Sequence, residues 1–100
     1  MRNQIYKNRE SGIYIYWNNI KSSLENNNIF DNEHYGVSIA WNSTPTLLSN
    51  KINSNGLAGI SVDGTSGGTF KNNDLRNNRT GAWNLSNEAR SRISSCLNNE

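Results

Sequence analysis

Asn27-Asn28-Ile29-Phe30-Asp31-Asn32-Glu33-His34-Tyr35-Gly36-Val37-Ser38-Ile39 is the stretch that decides the fold. Its skeleton, Asn-x-Ile-x-x-Asn-x-x-x-Gly-Val-x-Ile, stands upstream as Asn3, Ile5, Asn8, Gly12, Ile13 and Ile15. It stands downstream as Asn50, Ile52, Asn55, Gly59, Ile60 and Val62, and a worn copy follows as Asn73, Leu75, Asn78, Ala82, Trp83 and Leu85. From Ile5 the steps to Ile29, Ile52 and Leu75 are 24, 23 and 23 residues. A fixed period in this range marks a repeat architecture in which each unit buries its apolar face against the next. Leu24, Leu47, Phe70 and Ile93 add an apolar anchor at steps of 23. From anchor to last inward residue (Ile39, Val62, Leu85) the distance is 15 each time, so the one-residue change in period falls between Ile15 and Leu24. Loops absorb such changes and stacked strands do not.

Each repeat therefore predicts a coil of three short strands, centred in the third coil on Leu47, Ile52 and Ile60 to Val62. Stacking places equivalent residues over one another. Ile5, Ile29, Ile52 and Leu75 make one apolar column; Ile13, Val37, Ile60 and Trp83 a second; Ile15, Ile39, Val62 and Leu85 a third; Leu24, Leu47, Phe70 and Ile93 a fourth. Asn3, Asn27, Asn50 and Asn73 form one amide column, and Asn8, Asn32, Asn55 and Asn78 another. A buried amide without partners is costly, but stacked amides can donate each to the next carbonyl. These asparagines are read as structural. Gly59, ahead of the third strand, is expected to serve a positive φ or a close backbone approach.

The bulk composition agrees. Hydrophobic residues are only 33%, yet charged residues are only 18% and the net charge is +2. That lacks the charge imbalance of a disordered chain, and a solenoid needs only a few apolar positions per coil. The scattered Lys and Arg argue against a nucleic-acid partner. No apolar run of membrane-spanning length occurs. No signal segment opens the chain, and the single cysteine, Cys96, excludes an internal disulfide framework.

The repeats resemble those of right-handed, pectin-lyase-like parallel β-helices, among them carbohydrate-binding and sugar-hydrolysis modules and NosD-like copper-maturation modules. The likeness covers about residues 3 to 85. It implies an all-β, right-handed parallel β-helix of about four coils, with repeats 1–19, 20–43, 44–67 and 68–90 in one domain or fragment. It implies a polysaccharide as partner and, by analogy, an extracellular or cell-surface setting. Such a fold hosts lyases, hydrolases, adhesins and spacers alike, so function must come from the site.

Acids and bases at equivalent positions on adjacent coils suggest stacked pairs: Lys7 with Asp31, Arg9 with Glu33, Glu10 with His34 and Lys51 with Asp74. The remaining acids do not cluster, which removes the paired carboxyls that glycoside hydrolysis needs. No catalytic residue, metal ligand or cofactor is assigned; His34, Cys96 and Met1 do not converge as copper ligands would. The candidate ligand-binding residues are Tyr14, Tyr16, Trp17, Trp41 and Asp63. Tyr14 and Tyr16 face outward if Ile13 and Ile15 face in; Asp63 shares the Tyr16 column, and Trp17 shares one with Trp41. Simple alternation from Ile15 turns Trp17 inward, and burial of both tryptophans would favour an inert spacer over a sugar-binding face. The alternatives to binding are a structural spacer or assembly module, with end-to-end self-association or continuation in a longer chain, and part of a lyase or hydrolase whose catalytic residues lie elsewhere.

Residues 91–100 admit two readings. They are a broken fifth coil anchored at Ile93, or a capping helix starting near Ser86 or Asn87 with Ala89, Ile93, Cys96 and Leu97 on one face.

Overall fold

The computed structural model describes residues 3–18 and 20–100. Met1, and with it the expectation about copper ligands there, lies outside the described residues, as do Arg2 and Asn19. The strands run β1 (Gln4–Tyr6), β2 (Ile13–Ile15), β3 (Ser23–Glu25), β4 (Asn28–Phe30), β5 (Val37–Ile39), β6 (Thr46–Leu48), β7 (Lys51–Asn53), β8 (Ile60–Val62), β9 (Gly68–Lys71), β10 (Trp83–Leu85) and β11 (Ile93–Cys96). One helical turn, α1 (Asn87–Arg90), precedes β11. The strands form three all-parallel sheets, β1-β4-β7, β2-β5-β8-β10 and β3-β6-β9-β11. In-register pairing sets Ile5 on Ile29 and Ile29 on Ile52, Val37 on Ile60, Ile39 on Val62, and Leu24 on Leu47 on Phe70. Leu75 completes the first column fully buried, although only Asp74 beside it bridges to Lys51.

The core is narrow and apolar. Ile29, Val37, Ile39, Leu47, Ile52, Ile60, Val62, Phe70 and Leu75 have no exposed surface. Each contributes about 1.5–3 kcal/mol by burial. Trp83 closes the second column and meets Phe70 edge-on at 5.1 Å. The two amide columns are hydrogen-bonded ladders. Asn27 Nδ2 donates to Asn50 Oδ1 at 3.1 Å, and Asn50 Nδ2 to Asn73 Oδ1 at 3.1 Å. In the second ladder Asn8, Asn32 and Asn55 each donate to the next Oδ1 at 2.8, 3.0 and 2.9 Å. Each Oδ1 also accepts the backbone N–H of the preceding ladder residue, as Asn78 Oδ1 does from Asn55.

The corners were not legible in the period. Among the described residues, the one before each ladder asparagine from Asn8 onward has a left-handed backbone: Asn26, Ser49, Asn72 and Leu97 in one ladder, Lys7, Asp31, Ser54 and Asn77 in the other. A single left-handed residue reverses the alternation and bends the chain. The following asparagine then turns into the stack, where its amide holds the bend. Gly36 answers the question raised for its column by close approach and not by φ: a Cβ there would stand 2.3 Å from the Ile52 methyl and 2.7 Å from the Gly59 carbonyl oxygen. Ala82 is tolerated in the same column because no further coil lies over it among the described residues.

The last coil corrects the expectation for Ile93. β11 pairs Ile93 with Gly68, and Ser95 takes the place over Phe70. The period lengthens because α1 is inserted, so Asn98 and not Cys96 continues the ladder, receiving Asn73 Nδ2 at 3.0 Å. Both readings of this segment hold in part. Ser86 caps α1 through its side chain, accepting the Ala89 N–H at 3.1 Å, and a fifth rung follows. The longer helix face does not form: Ala89 is buried, Ile93 half-buried, and Cys96 and Leu97 are exposed.

Candidate ligand-binding face

Tyr14 and Tyr16 lie at the outer side of β2 and just after it, and Trp17 and Trp41 stand at the next corner. Trp17 and Asn18 have φ of 69° and 56°, and Trp41 and Asn42 have φ of 60° and 59°. Two successive left-handed residues break the alternation that would have turned Trp17 inward. The inward expectation is therefore wrong for both tryptophans: Trp17 is 70% exposed and Trp41 55% exposed. Asn18 N–H donates to the Trp41 carbonyl at 2.8 Å, which locks one corner to the next. The stacked register does bring Trp17 to Trp41.

The four rings form one strip. Ring centroids are 4.0 Å apart for Trp17 and Trp41, 6.5 Å for Tyr16 and Trp41, and 5.3 Å for Tyr14 and Tyr16. These separations lie within or below the usual range of about 4.5–7 Å for interacting aromatic pairs. The Tyr14 hydroxyl donates to Glu10 Oε1 at 2.8 Å and accepts the Ser11 N–H at 3.3 Å, which fixes the outer end of the strip. The Glu10 carboxylate thus serves Tyr14, and His34 meets Glu10 only through the backbone, its N–H donating to the Glu10 carbonyl at 3.2 Å. At the other end a shallow depression of about 370 Å³ is lined by Trp41, Asn42, Asp63 and Thr65 with Ala40 and Gly64. Asp63 Oδ1 accepts the Gly64 N–H at 2.9 Å, and the Thr65 hydroxyl donates to Asn42 Oδ1. All five candidate residues thus fall on one continuous stretch of surface. Glu10, which orients Tyr14, was missed; its signal was a spacing of four residues from Tyr14.

The stacked charge pairs need a larger correction. Among the described residues the ion pair within 4.0 Å is Arg76–Asp74, at 2.9 Å. The register does set Lys51 over Asp74, but Arg76, two residues on along the same face, takes both carboxylate oxygens through Nε and Nη2 at 2.9 Å each. A bidentate guanidinium outcompetes a point-charge ammonium. Lys7–Asp31, Arg9–Glu33 and Glu10–His34 do not close into ion pairs, because exposed pairs gain little from fixing two long side chains. The Arg76 bonds hold the Asp74 carboxyl down to about 2 against the ordinary 3.8. A depressed carboxyl adds stability above its unfolded value and loses it as pH falls through the folded one. Urea midpoints should therefore drop between about pH 4 and about pH 2, and Asp74→Asn should flatten that part of the profile; an unchanged profile in the variant would contradict the assignment.

No group of three or more His, Cys, Asp or Glu side chains that could hold a metal occurs among the described residues. No helix there is long and apolar enough to cross a membrane.

Three parallel sheets wound round a single apolar core and edged by asparagine ladders define a parallel β-solenoid. The chain belongs to the right-handed β-helix family: the family model for the right handed beta helix region matches residues 1–97. No curated protein and no solved structure matches it.

Proposed function

We propose that the Tyr14–Tyr16–Trp41–Trp17 strip, with Asp63 beside it, binds a polysaccharide and carries no complete catalytic machinery. The observation behind this reading is the exposure of both tryptophans at a corner where the backbone turns them outward. Large exposed aromatic patches are rare on soluble proteins unless they bind something. A row of rings suits the C–H faces of consecutive sugar units, and Asp63 and Asn42 offer acceptors and donors to hydroxyl groups at its end. In native gels containing a soluble polysaccharide, Trp17→Ala/Trp41→Ala should lose most of the retardation shown by the parent, and Tyr14→Ala and Tyr16→Ala should weaken it. Equal migration of parent and double variant across a panel of neutral and acidic glycans would overturn the reading.

A second reading, as an assembly module, is favoured by the first coil. β1, β2 and β3 each pair on one side only among the described residues. Ile5, Ile13 and Leu24 are only half-buried there, and unpaired parallel edges invite another coil. Another copy or a continuing coil would cover them. Sedimentation velocity decides for this chain: a concentration-dependent rise in mass supports self-association, and a monomer throughout removes it.

A further inference from the structure

The outer face of β1, β4 and β7 is separate from the aromatic strip. With Ile5, Ile29 and Ile52 turned inward, the residues on either side face out. One outward column runs Tyr6, Phe30, Asn53, Arg76, and the other Gln4, Asn28, Lys51, Asp74. The Tyr6 and Phe30 rings lie nearly parallel, 7° apart in plane and 5.0 Å between centroids. The stack then stops. Asn53, next in the column, is held down on the sheet: its Nδ2 donates to the carbonyls of Asp74 and Arg76 at 3.2 and 2.8 Å. Its Oδ1 is buried and has no hydrogen-bond partner. Beyond it stands the Arg76 guanidinium, braced by both Asp74 oxygens.

The outcome is a slot of about 380 Å³ lined by Phe30, Asn53 and Arg76, with Asn28, Lys51 and Asp74 beside it. Phe30 and Arg76 stand two coils apart, about 9.6 Å at the usual strand spacing. A flat ring in van der Waals contact with both sides needs about 7–8 Å, so one ring fits in the gap. Aromatic and guanidinium faces both favour a π-system between them. Lys51 supplies charge: Asp74 is committed to Arg76, so the lining carries one positive charge beyond the neutral pair.

We propose that this slot binds a planar aromatic ring bearing a carboxylate, the ring between Phe30 and Arg76 and the carboxylate at Lys51. The probe is benzoate, titrated into ¹⁵N-labelled protein, against cyclohexanecarboxylate (an anion without a flat ring) and benzyl alcohol (a flat ring without charge). Benzoate should give saturable shifts at the amides of Phe30, Lys51, Asn53 and Arg76. Each comparison compound should bind roughly ten-fold more weakly. Asn53→Phe extends the stack into the slot and should abolish binding; Lys51→Gln should weaken it about ten-fold while leaving other amide positions unmoved. Should Asn53→Phe fail to fold, Lys51→Gln and the two comparison compounds still decide. Absence of saturable shifts at these amides, equal binding of cyclohexanecarboxylate, or benzoate binding unchanged in Lys51→Gln would overturn the proposal.

Discussion

Asn55→Ala should lower the stability of the domain by about 3–5 kcal/mol, a large share of the roughly 5–15 kcal/mol that holds a typical domain together. Asn55 is 2% exposed. Its Oδ1 accepts both the Asn32 N–H at 3.2 Å and Asn32 Nδ2 at 3.0 Å. Its Nδ2 donates to the Ile29 carbonyl at 3.3 Å and to Asn78 Oδ1 at 2.9 Å. Truncation strands buried donors on one side and removes a donor from buried acceptors on the other, and a single water in the vacated space cannot reproduce all four hydrogen bonds in their ladder geometry. Asn8→Ala is the internal control. Asn8 is exposed and gives the ladder a single side-chain bond, to Asn32 Oδ1, which keeps the Asn8 backbone N–H when the side chain is gone. Urea unfolding should show a loss for Asn55→Ala several times that for Asn8→Ala. Similar losses would mean that the ladder is surface decoration.

Phe70→Ala should cost a similar amount, about 3–5 kcal/mol. Phe70 is fully buried, stacks on Leu47 and meets Trp83 edge-on. The two coils before it carry Leu24 and Leu47 at this position, so the solenoid is built to house leucine there. Phe70→Leu should therefore recover most of the loss, with a penalty below about 1.5 kcal/mol. It should not restore the near-ultraviolet circular dichroism that the Phe70–Trp83 contact contributes. Equal destabilisation by alanine and leucine would place Phe70 outside the column.

What could be read beforehand was whatever repeats. Ile29 over Ile52 and Asn32 over Asn55 follow from spacing alone, because a coil that closes on itself must return equivalent residues to equivalent places. The unreadable parts were set by single residues. Trp17 and Trp41 adopt a left-handed backbone, and nothing in a two-residue alternation signals that one step will be reversed. The result turned two expected core residues into the most exposed rings of the candidate site. Ile93 misled for a related reason. It kept the 23-residue step while α1 lengthened the coil beneath it, and Asn98 was the one residue that marked the true register. Asp74 shows that register places partners without choosing between them: Lys51 lies across the stack, and Arg76 wins by geometry. The slot beside Phe30 went unseen because it depends on a side chain, Asn53, that is drawn down and away from the space it could fill.

Methyl–methyl nuclear Overhauser contacts in a sample labelled at isoleucine and valine test the stacked columns most directly. In-register coils about 4.8 Å apart predict strong cross-peaks between Ile29 and Ile52, Val37 and Ile60, and Ile39 and Val62. They predict a far weaker peak, or none, between Ile5 and Ile52, which stand two coils apart. Missing Ile29–Ile52 contacts, or an Ile5–Ile52 peak of equal strength, would contradict the solenoid and everything placed on its surface.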